Sequence, residues 1–283
     1  MKSISGNARL AGVMGWPVGH SLSPRLHGFW LETLGIDGAY VPLPVAPENV
    51  AVAVKTLPML GYRGINVTVP HKETVMGHVD TLDDLARRIG AVNTIVYDDE
   101  GRSHGTNTDG FGFIENIRQR APKVDFSDGQ AVVLGAGGAA RAVAVALMDA
   151  GVSEIIVLNR TQERADVLAQ QIGIDGNVKV EPWSRREEVL VGASILVNTT
   201  TLGMTGQAVL DIDLKHLPEG ACVTDIVYAP LETPLLAAAR SRGNVVVDGI
   251  GMLLHQARPG FKAWFGEGPE VSDALRAHVL EGM

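Results

Sequence analysis

Polar side chains crowd the ends of apolar runs at four places in this chain. Ser21-Leu22-Ser23-Pro24 precedes a helical pattern, and Asn66-Val67-Thr68-Val69-Pro70-His71-Lys72 closes a β-branched run. Gly90-Ala91-Val92-Asn93-Thr94 opens the next run, and Gly105-Thr106-Asn107-Thr108-Asp109-Gly110 ends a hairpin. Hydroxyls, amides, an ammonium and a carboxylate in these positions suit the binding of a small polyhydroxylated acid. In open α/β sheets, ligands bind outside the carboxyl ends of the strands. Each cluster also has a structural reading. Ser23 could cap the helix that begins at Pro24, Asn66 and Thr68 could satisfy turn backbone, and Asp109 could cap the helix from Gly110. Lys72 could be a solvated surface lysine.

A second constellation is Leu134-Gly135-Ala136-Gly137-Gly138-Ala139-Ala140-Arg141, which fits G-x-G-x-x-A directly after a strand and at the start of a helix. Gly135 permits the tight turn, Gly137 lets a pyrophosphate approach the backbone, and Ala140 lets helix and strand pack closely. The helix start supplies unpaired N–H groups for phosphate. Strand, turn, helix and second strand fall in register, so the turn reads as a dinucleotide site. The second strand ends at Asn159-Arg160-Thr161, with no acid to hold a ribose 2′-hydroxyl. Arg160 offers a planar cation for a 2′-phosphate, Thr161 a hydroxyl, and Arg164 a further cation, which favours NADP over NAD. Against this, Arg160 could be a solvated surface residue and Thr161 an N-cap.

The elements that must position these residues form an α/β chain with mainly parallel sheets. In the first part, strands are expected near Leu10–Met14, Tyr40–Leu43 and Gly64–Val67. Helices are expected over Pro24–Leu34, Pro47–Pro58 and Leu82–Ile89. A hairpin pairs Val92–Tyr97 with Ser103–Thr106 across Asp98-Asp99-Glu100-Gly101, and a helix follows over Gly110–Arg120. Pro122–Gly129 reads as a linker. Six further strands are expected at Ala131–Leu134, Ile155–Leu158, Val178–Val180, Ile195–Val197, Val223–Ile226 and Val245–Val247, the count of a doubly wound (Rossmann) dinucleotide domain. Helices over Ala139–Ala150 and Arg164–Ile172 connect the first of them. Two C-terminal helices, Met252–Phe265 and Ser272–Leu280, return to the first domain. The expected division is 1–108 plus 252–283 for an α/β substrate domain, and 109–251 for the dinucleotide domain.

Composition narrows the function classes. The chain has 283 residues, 24 Lys+Arg and 32 Asp+Glu, for a net charge of −8. That balance argues against sequence-independent binding to nucleic acid or to an anionic membrane. The longest uncharged stretch, Val189–Leu210, carries an Asn, four Thr and three Gly, which a bilayer would reject. The N-terminal residues have no apolar run like that of a secretory signal. With a single cysteine, Cys222, no internal disulfide can form. These features point to a cytoplasmic protein. None of the eight histidines is spaced three or four residues from another, so no metal site is expected.

Taken together, the four polar clusters, the glycine turn, Asn159-Arg160-Thr161, Asp225-Ile226-Val227-Tyr228-Ala229-Pro230 and Gly249-Ile250-Gly251-Met252-Leu253-Leu254-His255-Gln256 closely resemble shikimate dehydrogenase. The resemblance covers nearly the whole chain, in the family's order. It implies NADPH-dependent, reversible reduction of 3-dehydroshikimate to shikimate, a step of chorismate and aromatic amino acid biosynthesis, in a cleft between two domains of a monomer or homodimer. It also implies roles for residues. Lys72 and Asp109 form the catalytic pair, and Ser21 and Ser23 bind the substrate carboxylate. Thr68, Asn93, Tyr228 and Gln256 touch the carboxylate, ring or hydroxyls. Gly135, Ala136, Gly137, Gly138 and Ala139 hold pyrophosphate, and Asn159, Arg160, Thr161 and Arg164 the adenosine phosphate. Asp84, Ile226 and Gly249 lie near the cofactor. In one departure, Thr201 stands where the family usually has proline, in a loop near the nicotinamide, with a modest effect on loop stiffness expected.

The nearest rival is a quinate/shikimate dehydrogenase of broader range. Quinate carries an extra hydroxyl on the carboxylate-bearing carbon, and relatives that act on it sometimes replace the second serine of the Ser-x-Ser-Pro motif. Here Ser23 is retained. A rival from another class is a non-catalytic NADP-binding sensor, which would have no use for Lys72 and Asp109 together.

Overall fold

The computed structural model describes residues 4–173 and 177–283. The chain separates into two units, one running up to Thr108 and taking in Leu254–Met283, the other Asp109–Leu253.

In the first unit, strand β1 (Arg9–Gly15) is buried along its last five residues, as a strand covered on both faces must be. Helix α1 (Ser23–Thr33) buries Ser23, Leu26, His27, Trp30 and Leu31, a three- and four-residue spacing that turns one stripe inward. Strand β2 (Gly38–Pro44), helix α2 (Val50–Thr56), strand β3 (Tyr62–Val67), strand β4 (Thr81–Leu82), helix α3 (Asp84–Ile89) and strands β5 (Thr94–Tyr97) and β6 (Ser103–Thr106) follow. The sheet order is β2-β1-β3-β5-β6-β4. Strands β1, β2 and β3 are parallel, whereas β5 runs against both β3 and β6. The start of β5 therefore lies beside the ends of β3 and β6. This reversal brings the polar clusters of separate loops to one end of the sheet.

One edge of this sheet is β2. Gly38, Tyr40, Pro42 and Pro44 share one parity of the strand, while Val41 and Val45 direct their backbone toward β1. The two prolines thus face outward, where no N–H is needed and none is offered to another strand.

The second unit begins with helix α4 (Asp109–Arg120). Strand β7 (Gln130–Leu134), helix α5 (Gly138–Asp149), strand β8 (Glu154–Leu158), helix α6 (Gln162–Ile172) and strand β9 (Val178–Val180) come next. Strands β10 (Ala193–Asn198) and β11 (Cys222–Asp225), helix α7 (Pro234–Ser241) and strand β12 (Val245–Val247) complete it. The sheet is parallel throughout, in the order β12-β11-β10-β7-β8-β9. Connections reverse direction between β7 and β10, which is where a doubly wound sheet opens its binding crevice. Gly110 permits close helix packing here: a Cβ on it would lie 2.9 Å from both Ala142 O and Ala146 Cβ of α5.

Two C-terminal helices, α8 (Ile250–Phe265) and α9 (Asp273–Leu280), follow. In the first unit, the Trp264 indole covers Gly64 and donates to Ile95 O at 3.1 Å. Trp30 of α1 donates to Glu270 O at 3.1 Å ahead of α9.

Several elements differ from the sequence expectation. The helix expected over Pro47–Pro58 is reduced to α2, with 3₁₀ turns at Pro47–Asn49 and Pro58–Leu60, each opening on a proline. Strand β5 starts at Thr94 rather than Val92, because Val92 N donates to Lys72 O and Asn93 N to Thr106 O. Residues 81–82 form the short strand β4, so α3 starts at Asp84. Helix α8 starts two residues ahead of Met252, at Ile250. Helix α7 was not expected, although Thr233 caps it through Leu236 N and Pro234 opens it.

Candidate active site

The first unit gathers Ser21, Ser23, Thr68, Lys72, Asn93 and Gln256. Ser23 does not cap α1. Leu22 holds the N-cap position with no side-chain bond, and Ser23 N instead donates to Ser21 Oγ at 3.3 Å. Ser23 is buried, and its hydroxyl bonds the Tyr40 phenol, which burial pushes well above its ordinary pKa. The capping alternative for Ser23 is therefore set aside, since the serine has left its capping geometry for a buried polar one.

Thr68 follows β3, and its N–H donates to Met14 O at 2.9 Å. Its methyl fills the space beside Gly15, where a Cβ would come within 2.5 Å of Thr68 Cγ2. Half-buried Lys72 has a fixed backbone: its carbonyl accepts from Val92 N at 2.8 Å. Next to it, His71 is buried and bonds Val45 O through Nε2 at 2.7 Å. Because a carbonyl only accepts, that nitrogen carries the proton.

Asn93 lies at the centre of a buried polar network. Its Oδ1 accepts from Thr94 Oγ1 at 2.9 Å and from Thr108 N at 2.8 Å. Its Nδ2 donates to Gln256 Oε1 at 3.2 Å. Thr108 Oγ1 donates to Gln256 O at 2.9 Å. The sequence reading named Asn93 and Gln256 but missed Thr94, Thr108 and Tyr40. The available signal was a threonine directly after an asparagine, at Asn93-Thr94 and Asn107-Thr108.

In the second unit, the glycine turn sits at the sheet's switch point. Gly135 has φ +113°, and a Cβ there would lie 2.5 Å from Thr199 Oγ1, so both conformation and space demand glycine. Thr199 itself ties the ends of β7 and β10, donating to Leu134 O from N at 2.8 Å and from Oγ1 at 2.7 Å. Gly137 and Gly138 have nothing within 4 Å of an added Cβ, an open cradle for a ligand. Gly137 is the N-cap of α5 and brings no side chain to its first N–H groups, which suits them to phosphate. Ala140 behind them is fully buried.

At the end of β8, Asn159 Nδ2 donates to Thr161 O at 2.7 Å. Thr161 is the N-cap residue of α6, yet its hydroxyl makes no capping bond. Arg160 and Arg164 are exposed and form no ion pair among the described residues. The donor set fits a phosphate on the adenosine ribose.

Ile226 and Tyr228 stand on the loop after β11, and burial raises the Tyr228 phenol above its ordinary pKa. Gly249 is pressed against this loop: a Cβ would lie 2.4 Å from Ile226 O. The loop hangs on Asp225, which is fully buried. Asp225 Oδ1 accepts from Asn198 Nδ2 and Val227 N, both at 3.0 Å, and Oδ2 from Thr233 Oγ1 at 2.8 Å. Sequence reasoning missed this clamp, in which Asn198 Oδ1 also receives Thr200 Oγ1 at 2.7 Å and stiffens the loop carrying Thr201.

Two candidates fall outside these groupings. Asp84 belongs to the first unit, exposed in the first turn of α3, whereas the other cofactor candidates belong to the second. Asp109 is the buried first residue of α4 and of the second unit, and follows Thr108 directly in the chain. No group of three or more metal-ligating side chains occurs among the described residues. No helix among them is long and apolar enough to cross a membrane.

Known proteins are similar to this chain in sequence and fold. Residues 13–95 match the shikimate dehydrogenase substrate binding domain, and residues 116–207 the shikimate / quinate 5-dehydrogenase family. A shikimate dehydrogenase (NADP(+)) of Paramagnetospirillum magneticum is 62% identical over 98% of this chain and 100% of its own length. The structure of shikimate 5-dehydrogenase from Thermus thermophilus in complex with NADP(H) and shikimate superimposes with a TM-score of 0.86, at 37% identity, covering 97% of this chain and 100% of the other. A quinate dehydrogenase from Corynebacterium glutamicum in complex with NAD gives a TM-score of 0.90 at 31% identity, over 97% of this chain and 99% of the other. With both family domains matched and 62% identity over 98% of its length, the chain belongs to the shikimate dehydrogenase family.

Proposed function

We infer that this protein is an NADP-dependent shikimate dehydrogenase, catalysing the reversible reduction of 3-dehydroshikimate to shikimate in a cytoplasmic biosynthetic route. The observation that carries this is the end-to-end 62% identity with an NADP-dependent shikimate dehydrogenase. The site chemistry agrees with it. The end of β8 offers Arg160 and Thr161 in place of an acid, and Ser23 stands buried beside Tyr40. Both favour the shikimate enzyme with NADP over a quinate enzyme with NAD.

In this reading, Ser21 and Ser23 hold the substrate carboxylate, and Thr68, Asn93, Tyr228 and Gln256 bind its carboxylate, ring or hydroxyls. The Gly135–Ala139 turn holds pyrophosphate, while Arg160, Thr161, Arg164 and Asn159 hold the adenosine phosphate. NADPH, when bound, supplies the hydride that reduces the ring carbonyl. The Lys72 ammonium faces the carbonyl oxygen, stabilises the negative charge that develops on it, and gives it a proton. The products are the alcohol and a neutral amine, which recovers its proton from solvent. Asp109 is the carboxylate assigned to the same chemical step. In the oxidative direction the same amine takes the hydroxyl proton.

A steady-state assay of NADPH consumption with 3-dehydroshikimate tests this. Turnover is expected with NADPH in preference to NADH, and oxidation of shikimate in preference to quinate. Lys72→Ala should lower kcat by about a thousandfold with little change in KM. Near-full turnover in that variant refutes the role of Lys72. Cofactor binding without any turnover in the unmodified protein points to a sensor instead.

A further inference from the structure

The network beneath Asn93 has a direction that its chemistry forces. Tyr40 Oη lies 2.6 Å from Asn66 Oδ1, an oxygen that only accepts, so the phenol donates. Asn66 Nδ2 then points to Asn93 O at 3.2 Å and to Thr94 Oγ1 at 3.1 Å. The backbone carbonyl confirms that the nitrogen is on that side. Thr94, accepting there, uses its single proton toward Asn93 Oδ1 at 2.9 Å. The Thr108 N–H, which can only donate, reaches the same oxygen at 2.8 Å. Asn93 Oδ1 is thereby turned inward, and Nδ2 toward Gln256 Oε1 at 3.2 Å. Had the amide flipped, its NH₂ would face the Thr108 N–H, donor against donor.

We propose that Thr94 and Tyr40 are positioning residues for substrate binding: the buried chain Tyr40–Asn66–Thr94 orients the Asn93 amide so that it meets the substrate as a hydrogen-bond donor. Thr94 is buried and gives its proton to Asn93 Oδ1, so it acts on a ligand through Asn93. The register of the sheet sets the chain up, since Asn66 on β3 pairs with Thr94 on β5, and Thr94 with Thr106 on β6. A donor amide selects ligand oxygens with lone pairs to offer, such as a ring hydroxyl. This inference rests on the reading of Asn93 as a substrate-binding residue.

The test is a mutant cycle on the full chain, read as KM for shikimate and kcat, with NADP saturating. Thr94→Val keeps the shape and removes the hydroxyl. It should raise KM about ten-fold while kcat changes less than about two-fold. Thr94→Ser restores the hydroxyl and should return KM to within about two-fold of the unmodified protein. In an Asn93→Ala background, Thr94→Val should add nothing to KM, because the group it acts through is gone. A merely structural threonine lowers the active fraction instead, and lowers it in either background. An unchanged KM in Thr94→Val, beside a raised KM in Asn93→Ala, overturns the proposal. So does an equal Thr94→Val effect in both backgrounds. An unchanged KM in Asn93→Ala removes the substrate-binding reading of Asn93 and the proposal with it, while Lys72→Ala still reports separately on the activity. Should Thr94→Val fail to accumulate as folded protein, Thr94→Ala replaces it in the same cycle with the same outcomes.

Discussion

His27 is a fully buried titratable side chain of the first unit. It stacks on Tyr40 with ring centroids 3.8 Å apart and planes 5° from parallel, with Trp30, Phe261 and Trp264 around it. Neither ring nitrogen has a hydrogen-bond partner among the described residues. Burial pushes its pKa down to about 3, and the nearby Asn66 side chain opposes this. A depressed folded pKa means the unfolded chain takes up the proton first, so stability is present above pH 6.5 and falls as pH drops toward 3. Between pH 7 and pH 4.5 the loss attributable to this ring is about 2–3 kcal/mol. His27→Phe keeps the stack and removes the proton site. Its urea-unfolding free energy should therefore fall less over that interval than that of the unmodified protein. Parallel pH dependences would show that the ring is not the source. Nothing at His27 was legible from sequence, because a lone histidine in a helix announces neither its burial nor its neighbours. The site residues were more legible, since motifs carry them. Even so, Ser23 was open to a capping reading that only its bond pattern removed.

At the scale of elements, two loops depend on one carboxylate. Asp225 ends β11 and receives donors from Asn198 at the end of β10, from Val227 in its own loop, and from Thr233 at the cap of α7. Burial raises its pKa, while these three donors pull it down. A raised folded pKa makes the ionised form the costly one, so its contribution to stability falls as pH rises from the ordinary carboxylate range through the folded pKa. Asp225→Asn keeps an oxygen for Asn198 and Val227 and offers an N–H to Thr233 Oγ1. Its melting temperature relative to the unmodified protein should rise between pH 4 and pH 7; a constant difference would count against a buried, ionisable clamp. Strands such as Val178–Val180 and Val245–Val247 could be read from sequence because β-branched runs carry their own signal. Helix α7 was missed, despite its start signal at Thr233-Pro234, because Leu235-Leu236-Ala237-Ala238-Ala239 offers little polar face and hence no clear period. The start of β5 was misplaced because the backbone of Val92 and Asn93 is engaged by Lys72 and Thr106, a tertiary effect that periodicity does not encode.

At the scale of the whole molecule, the candidate groups divide by unit. Ser21, Ser23, Thr68, Lys72, Asn93 and Gln256 belong to the first, and the Gly135 turn, Arg160, Thr161 and Arg164 to the second. Each unit has its own six-stranded sheet and its own buried core. Binding of one ligand alone should therefore order chiefly the unit that holds its groups. With NADP alone, amide hydrogen exchange should slow at residues 135–141 and 159–164, where backbone N–H groups would meet phosphate. With shikimate alone, it should slow at residues 66–69, 71–72 and 93–95, where Val67 N donates to Asn93 O and Asn93 N to Thr106 O. Asp109 and Tyr228 are substrate candidates in the second unit, and Asp84 is the informative exception on the cofactor side, being a cofactor candidate in the first. Slowing at Ala86, whose N–H is bound to Asp83 Oδ1 at 2.6 Å, on addition of NADP alone would keep Asp84 among the cofactor residues, and its absence would remove it. Equal protection of both units by NADP alone would defeat the division, because it would require the phosphate groups to order a sheet that contributes none of their predicted ligands apart from Asp84.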